Sequence, residues 1–296
     1  MAVRVLVTGI GGQLASSLVE RATAFRDVEV TCVDRPAFDL GLPETIARTV
    51  RDHRPEVVIG AAAYTAVDQA EDEPDLAMQL NGDAAGWLAR AARAEGARFL
   101  QISTDYVFDG LKTAPYVEGD PANPQSVYGR SKLEGERRAR AEMPEVVIVR
   151  TAWVYSPFGR NFVKTMLTLA ETRDHLSVVD DQHGNPTSAL DLADACLAII
   201  RTWRERPTSG LGEIYHCAGS GETTWCGLAR HTLDTSRALA GPFAEVAAIP
   251  TADWPTKAAR PANSRLDCRK VGRDFGWQAP DWRRSTEEVV ARLLKT

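Results

Sequence analysis

Short apolar, β-branched runs recur along the first half of the chain at residues 3–7, 28–33, 57–63, 98–102 and 146–150. Segments with helical periodicity lie between them, reaching to about residue 24 and then covering 43–54, 72–95 and about 128–142. Strands that read as continuous Val/Ile/Leu runs are buried on both faces, and their alternation with helices predicts a parallel, doubly wound α/β sheet with right-handed crossovers. After Arg150 the alternation loosens. An amphipathic helix is expected near 161–172, a short strand at 176–179, a polar turn at 180–187 and a helix at 189–203 that packs back on the sheet. Arg206-Pro207 and the glycines Gly210 and Gly212 mark a link. The organisation expected is one large domain over 1–150 plus about 188–206, with a smaller interleaved α/β domain from 151–187 and 207–296.

Composition narrows the function classes. With 296 residues, 44% hydrophobic and 25% charged, the chain can bury a sizeable core. A net charge of −5 and no Lys/Arg run of five argue against nucleic acid as a main partner. No apolar run approaches the ~18 residues of a membrane span, and the start MAVRVLVTG reads as a first strand, not a signal peptide. Five scattered cysteines without a Cys-x-x-Cys pair suit a reducing cytoplasm and give no metal-ligand pattern.

The chemistry sits at strand ends. Gly9-x-x-Gly12-x-x-Ala15 follows the first run and opens a helix, the context in which backbone N–H groups approach a pyrophosphate; Gln13 and Leu14 begin that helix. The second run ends in Asp34-Arg35. The acid suits the hydroxyls of an adenosine ribose and the cation a 2′-phosphate, so NADH and NADPH both stay open. Small residues, Ala61, Ala62 and Ala63, end the third run and leave room for a cofactor; Ser103-Thr104-Asp105-Tyr106 ends the fourth. Tyr128 and Lys132 stand four apart, on one face of a helix about one turn from each other. A neighbouring cation lowers a phenol's pKa, so Tyr-x-x-x-Lys makes tyrosine a proton-transfer group. Six tyrosines with six lysines in 296 residues give about 0.12 such pairs by accident, so the pair needs the rest of the chain to support it.

Further motifs supply that support: TGxxGQL at 8–14, AAAYTAVDQAE at 61–71, STDYVFDG at 103–110, YGRSK at 128–132, TAWVY at 151–155, NFVKTML at 161–167, DDQHGNPT at 180–187 and RPANSRLD at 260–267. Over nearly its whole length the chain resembles the dTDP-4-dehydrorhamnose reductases, a family of extended short-chain dehydrogenase/reductases. The resemblance implies a Rossmann-type fold that binds NADPH or NADH and reduces a dTDP-linked 4-keto-6-deoxyhexose. It implies that Gly9, Gly12, Gln13 and Leu14 line the pyrophosphate, Asp34 and Arg35 meet the adenosine ribose, and Asp39 and Leu40 flank the adenine. Ala61, Ala62, Ala63, Tyr64 and Thr65 would border the nicotinamide side, with Tyr64 standing where relatives carry His. Thr104, Tyr128 and Lys132 form the implied catalytic set, Lys132 also reaching the nicotinamide ribose. Thr104, Asp105, Tyr106, Trp153 and Arg260 would face the sugar nucleotide. Some relatives dimerise around magnesium held by glutamates; the aligned positions here are Ser17, Leu190 and Arg292, so no metal is expected, and a monomer or metal-independent homodimer is. Three alternatives share these motifs: an antibiotic-sugar reductase such as a dTDP-dihydrostreptose synthase, a sugar-nucleotide epimerase or dehydratase, and a non-catalytic subunit resembling the methionine adenosyltransferase β subunit.

Overall fold

The computed structural model describes residues 2–295. Its centre is a parallel sheet. The strands β1 (Val3–Thr8), β2 (Val28–Val33), β3 (Val57–Gly60), β4 (Arg98–Thr104) and β5 (Val147–Thr151) alternate with helices, α1 (Gln13–Ala22), α2 (Pro43–His53), α3 (Val67–Ala70), α4 (Pro74–Met78), α5 (Ala84–Ala94) and α6 (Val127–Glu142). The second half adds β6 (Val154–Tyr155), α7 (Phe162–Ala170), β7 (His175–Val179), β8 (His183–Gly184), β9 (Thr187–Ser188) and α8 (Ala189–Glu205). It closes with β10 (Ile214–His216), β11 (Thr223–Thr224), α9 (Trp225–Ala238), β12 (Glu245–Ile249), α10 (Arg269–Phe275) and α11 (Trp282–Leu293).

The sheet runs β2-β1-β3-β4-β5-β10. Its register sets Val7 beside both Cys32 and Ile59, and Thr104 beside Thr151, so the strands' C-terminal ends share one edge. In open α/β sheets that edge is where ligands bind. One face packs Val5, Val7 and Ile59 under α1 and α8, with Leu18 and Trp203 fully buried. The other packs Leu6 and Val58 under α2, α5 and α6. A separate core of Val163, Leu176, Leu190, Leu233 and Val289 holds α7, α9 and α11 around the parallel pair β7–β12.

Two features differ from the sequence reading. Strand β10 lies in the stretch assigned to the smaller domain, yet it extends the main sheet beside β5, and α10 packs on it. Three residues, Ile-Tyr-His, are too few to show a period. The helix expected over 72–95 is interrupted by a π-helical turn at Gln79–Asp83, which adds a residue to the turn and directs Asn81 inward.

Helix α6 lies close against two backbone segments. A Cβ at Gly129 would meet the Tyr106 carbonyl oxygen at 2.3 Å, and one at Gly135 would meet that of Asn81 at 2.2 Å. Ser126 caps the helix, its Oγ accepting from the Gly129 N–H at 3.1 Å.

Candidate active site

A cleft of about 760 Å³ opens along the C-terminal edge of the sheet. Gly9, Gly12, Gln13 and Leu14 line its floor, Asp34, Arg35, Asp39 and Leu40 one end, and Ala61, Ala62, Ala63 and Thr65 the side at β3. Gly9 and Gly11 hold φ of 96° and 73°, values that glycine adopts without strain, and nothing stands within 4 Å of a Cβ at Gly11 or Gly12. The loop is thus an open backbone cradle at a helix N-terminus. Asp34 braces it, accepting from the Ile10 N–H at 3.2 Å and from the Arg35 N–H at 2.7 Å. Thr8 pins β3 to β1 through its hydroxyl, which accepts from the N–H groups of Ala61 and Ala62 at 3.0 and 2.8 Å.

At the far end, Thr104, Asp105, Tyr106, Tyr128, Lys132 and Trp153 line the same cleft. Thr104 Oγ1 donates to Asp105 Oδ1 at 2.9 Å and accepts from the Tyr106 N–H at 3.2 Å. Burial pushes the Asp105 carboxyl up to about 6 against the pull of the Thr104 and Ser264 hydroxyls. Tyr128 keeps some ring surface open to the cleft and meets Tyr106 edge-on, centroids 5.5 Å apart. Burial is the main cause that drives its phenol well above the usual range; Thr104 lowers it, and Asp105 and Tyr106 raise it further. This corrects the expectation that Lys132 depresses it. Lys132 Nζ instead donates to the Ile102 carbonyl at 2.7 Å, and burial draws that ammonium down to about 8. The arrangement therefore holds Tyr128 as a neutral O–H, the form that can give a proton.

Residues beyond β5 close the cleft. Gln13 reaches across it, Nε2 donating to the Val154 carbonyl at 3.3 Å while Oε1 accepts from Ser156 Oγ at 3.0 Å. Trp153 has a positive φ of 48° and stacks on Trp225 at 3.7 Å, with Nε1 donating to Ser264 Oγ at 3.0 Å. A Cβ at Gly184 would fall 2.4 Å from the Trp153 ring, so that residue must be small.

Two of the sequence-derived positions lie off the main cleft. Tyr64 turns its hydroxyl to Glu73 Oε2 at 2.7 Å, and Arg260 binds Asp68 Oδ2 at 2.6 Å while lining a neighbouring pocket of about 200 Å³ beside Tyr106. Sequence reasoning missed Asn81. Its Nδ2 donates to the Tyr64 carbonyl and to Ser131 Oγ, both at 3.0 Å, and its Oδ1 accepts from the Tyr64 N–H at 2.8 Å. It ties the loop after β3 to the helix carrying Tyr128 and Lys132. Only a π-turn brings it there, which no periodicity announces. Arg160 also lines the cleft, from the loop before α7.

Comparison with known proteins gives the same family. The RmlD substrate binding domain family matches residues 3–295. A dTDP-4-dehydrorhamnose reductase of Sinorhizobium fredii is 46% identical over 291 residues, 98% of each chain. The crystal structure of a dTDP-4-dehydrorhamnose reductase from Clostridium acetobutylicum superposes with a TM-score of 0.90 at 37% identity, covering 99% of both chains. That from Bacillus anthracis, in complex with NADP, gives 0.90 at 33% identity over 99% of this chain and 100% of that one. With its sheet, glycine cradle and Thr104/Tyr128/Lys132 cluster alike in place, the chain belongs to the dTDP-4-dehydrorhamnose reductase family of Rossmann-type extended short-chain dehydrogenase/reductases.

Proposed function

We propose that this chain reduces the 4-keto group of dTDP-4-dehydrorhamnose to the alcohol of dTDP-L-rhamnose, using NADPH or NADH. The observation that carries the reading is the meeting of Thr104, Tyr128 and Lys132 with the glycine cradle in one cleft. The residues present fit a dinucleotide: Gly9, Gly12, Gln13 and Leu14 would hold its pyrophosphate, Asp34 and Arg35 its adenosine ribose, Asp39 and Leu40 its adenine, and Ala61, Ala62 and Ala63 the nicotinamide side. When bound, the reduced nicotinamide supplies a hydride. Tyr128 gives its proton to the carbonyl oxygen as that atom gains charge, and Thr104 donates a hydrogen bond to the same oxygen. Thr104 lines the cleft with Tyr128, and to serve this role its single O–H would turn from Asp105 to the substrate oxygen. Lys132, held by the Ile102 carbonyl in the same cleft, would give its remaining N–H bonds to the nicotinamide ribose, and solvent returns the proton to Tyr128. Trp153, backed by Trp225, would offer the sugar nucleotide an apolar wall, with Asp105 and Tyr106 in the same cleft and Arg260 in the pocket beside Tyr106.

The reading extends to assembly and place. Ser17 and Leu190 are buried, and Arg292 forks onto Glu20 at 2.7 Å, so none of the three positions offers a carboxylate to magnesium, and we infer a monomer or metal-independent homodimer. Among the described residues no helix is long and apolar enough to cross a membrane. The unbridged cysteines suit a cytoplasmic enzyme.

The test is NADPH and NADH oxidation with dTDP-4-keto-L-rhamnose, followed by NMR of the product. Formation of dTDP-L-rhamnose supports the reading. No oxidation, or the C4 epimer as sole product, overturns it.

A further inference from the structure

Beneath the cleft lies a buried Glu136–Arg150 pair that the reaction as described does not use. Glu136 stands one turn beyond Lys132 on α6, and the two side chains are 3% and 5% exposed. Arg150, from β5, grips the Glu136 carboxylate with two parallel bonds, Nε to Oε1 at 2.9 Å and Nη2 to Oε2 at 2.7 Å. Ser103 Oγ donates to Oε1 at 2.5 Å. Ser103 directly follows Ile102, whose carbonyl accepts from Lys132, so the anion is fixed from β4 and β5 where Lys132 meets the sheet. Arg150 lies over the Phe108 ring at 5.1 Å, with His216 at that ring's edge. A fully buried ion pair is a weak source of stability, because well-packed apolar residues in its place are often neutral or stabilising. Its presence here has another use.

We propose that Glu136 is a positioning residue for the reduction: anchored by Arg150 and Ser103, its carboxylate is the countercharge that keeps Lys132 an ammonium in the interior beside Tyr128. The inference rests on the role given above to Lys132. Of the carboxylates near that ammonium, Asp105, ionised above about pH 6, acts on Tyr128, which leaves Glu136 as the countercharge of Lys132. The groups around it on α6 are Tyr128, held neutral, and Glu136. On the turn after β4, Asp105 faces Tyr128 and Tyr106 is pushed up to about 12, hence neutral. The π-turn's Asp83 is paired with Arg138. On β10, burial and Arg150 push His216 down to about 3, so it carries no charge. Burial lowers Lys132, and Glu136 is the group that raises it.

The chain has six lysines, few enough to resolve by NMR with ¹³Cε-labelled lysine, Lys132 being assigned by its loss in Lys132→Ala. The titration is run on the protein alone. Lys132 is expected to titrate near pH 8 in the native chain. In Glu136→Gln the midpoint should fall by on the order of one unit. In Arg150→Met, which keeps the anion, it should hold or rise, although both variants lose the same ion pair. If Glu136→Gln does not fold, Glu136→Gln/Arg150→Met removes the stranded cation too, and a lowered midpoint is still expected. An unchanged midpoint in every variant lacking Glu136, or equal falls in both single variants, overturns the proposal. The alkaline limb of kcat/KM should follow the NMR midpoints. Shifted midpoints with no turnover of the keto sugar by the native chain would uphold the countercharge while refuting the substrate assignment.

Discussion

Tyr128 shows how one buried hydroxyl is made useful. Its surroundings favour the neutral form, so Tyr128→Phe removes a proton donor and little else. Turnover should drop about 10²–10⁴-fold while NADPH binding, followed by fluorescence, stays near native. More than half the native kcat would sink the assignment. Asp105 makes an opposite demand on stability. Its folded pKa, about 6, lies above the ordinary 3.8, so the folded state binds the extra proton between those values and stability falls as pH rises through that window. A rise of that size corresponds to on the order of 3 kcal/mol. Asp105→Asn should therefore be more stable than the native chain above pH 6, with the advantage vanishing below about pH 4, as measured by urea unfolding across pH. Arg35 is exposed where the cleft meets the end of β2. Arg35→Ala should cut kcat/KM for NADPH roughly tenfold and for NADH much less, since only the former carries a 2′-phosphate; equal losses would place Arg35 off the ribose. At this scale local spacing was legible in Gly9-x-x-Gly12, which forms an open backbone cradle, while the spacing of Tyr128 and Lys132 put both in one cleft without the charge effect expected of it. The sequence was least legible where a partner comes from elsewhere in the chain: Glu136 meets Arg150 and Asn81 meets Ser131 only once strands and a π-turn are in place.

Elements carry these residues into register by close backbone approach. Helix α6 touches the π-turn at Gly135, and Asn81, one residue of that turn, fastens the loop after β3. Gly135→Ala sets two effects against each other. Helix propensity favours alanine by up to about 1 kcal/mol, but the Cβ would lie 2.2 Å from a carbonyl oxygen, and overpacking of that kind costs about 1–3 kcal/mol. The clash involves backbone and wins. The variant should melt below the native protein and lose kcat as α6 shifts. Asn81→Ala should leave the Tyr64 backbone and Ser131 short of partners at about 1–3 kcal/mol. Thermal unfolding and steady-state kinetics check both, and a native melting temperature in either would remove the clamp from the account. The five main strands and most helices of the first half were readable because their apolar runs are long. β12 and β10 were not: Glu245–Ile249 is mostly exposed, and Ile214–His216 is shorter than any period.

On the scale of the whole molecule, Ser17, Leu190 and Arg292 lie on α1, α8 and α11. Magnesium needs several hard oxygen ligands, and here the aligned positions are buried or already paired: Ser17 Oγ donates to the Gln13 carbonyl and Arg292 to Glu20. Sedimentation and turnover should be the same with magnesium and with EDTA. A fall from dimer to monomer on chelation, with lost activity, would contradict this. The chain returns to the main sheet at β10 after building β6 to β9, a return that the sequence does not announce because Ile214–His216 is too short to show a period. That return has an evolutionary consequence. A fold whose lobes are joined by one linker can trade a specificity lobe by a single recombination event. In this chain the edge strand of the sheet is encoded downstream of β6 to β9 and upstream of α9, so a single crossover that exchanges β6 to β9 together with α9 also takes that strand. New sugar specificities on such a scaffold are then reached by point changes on the cleft wall, at positions such as Trp153 and Arg160, more readily than by exchange of modules.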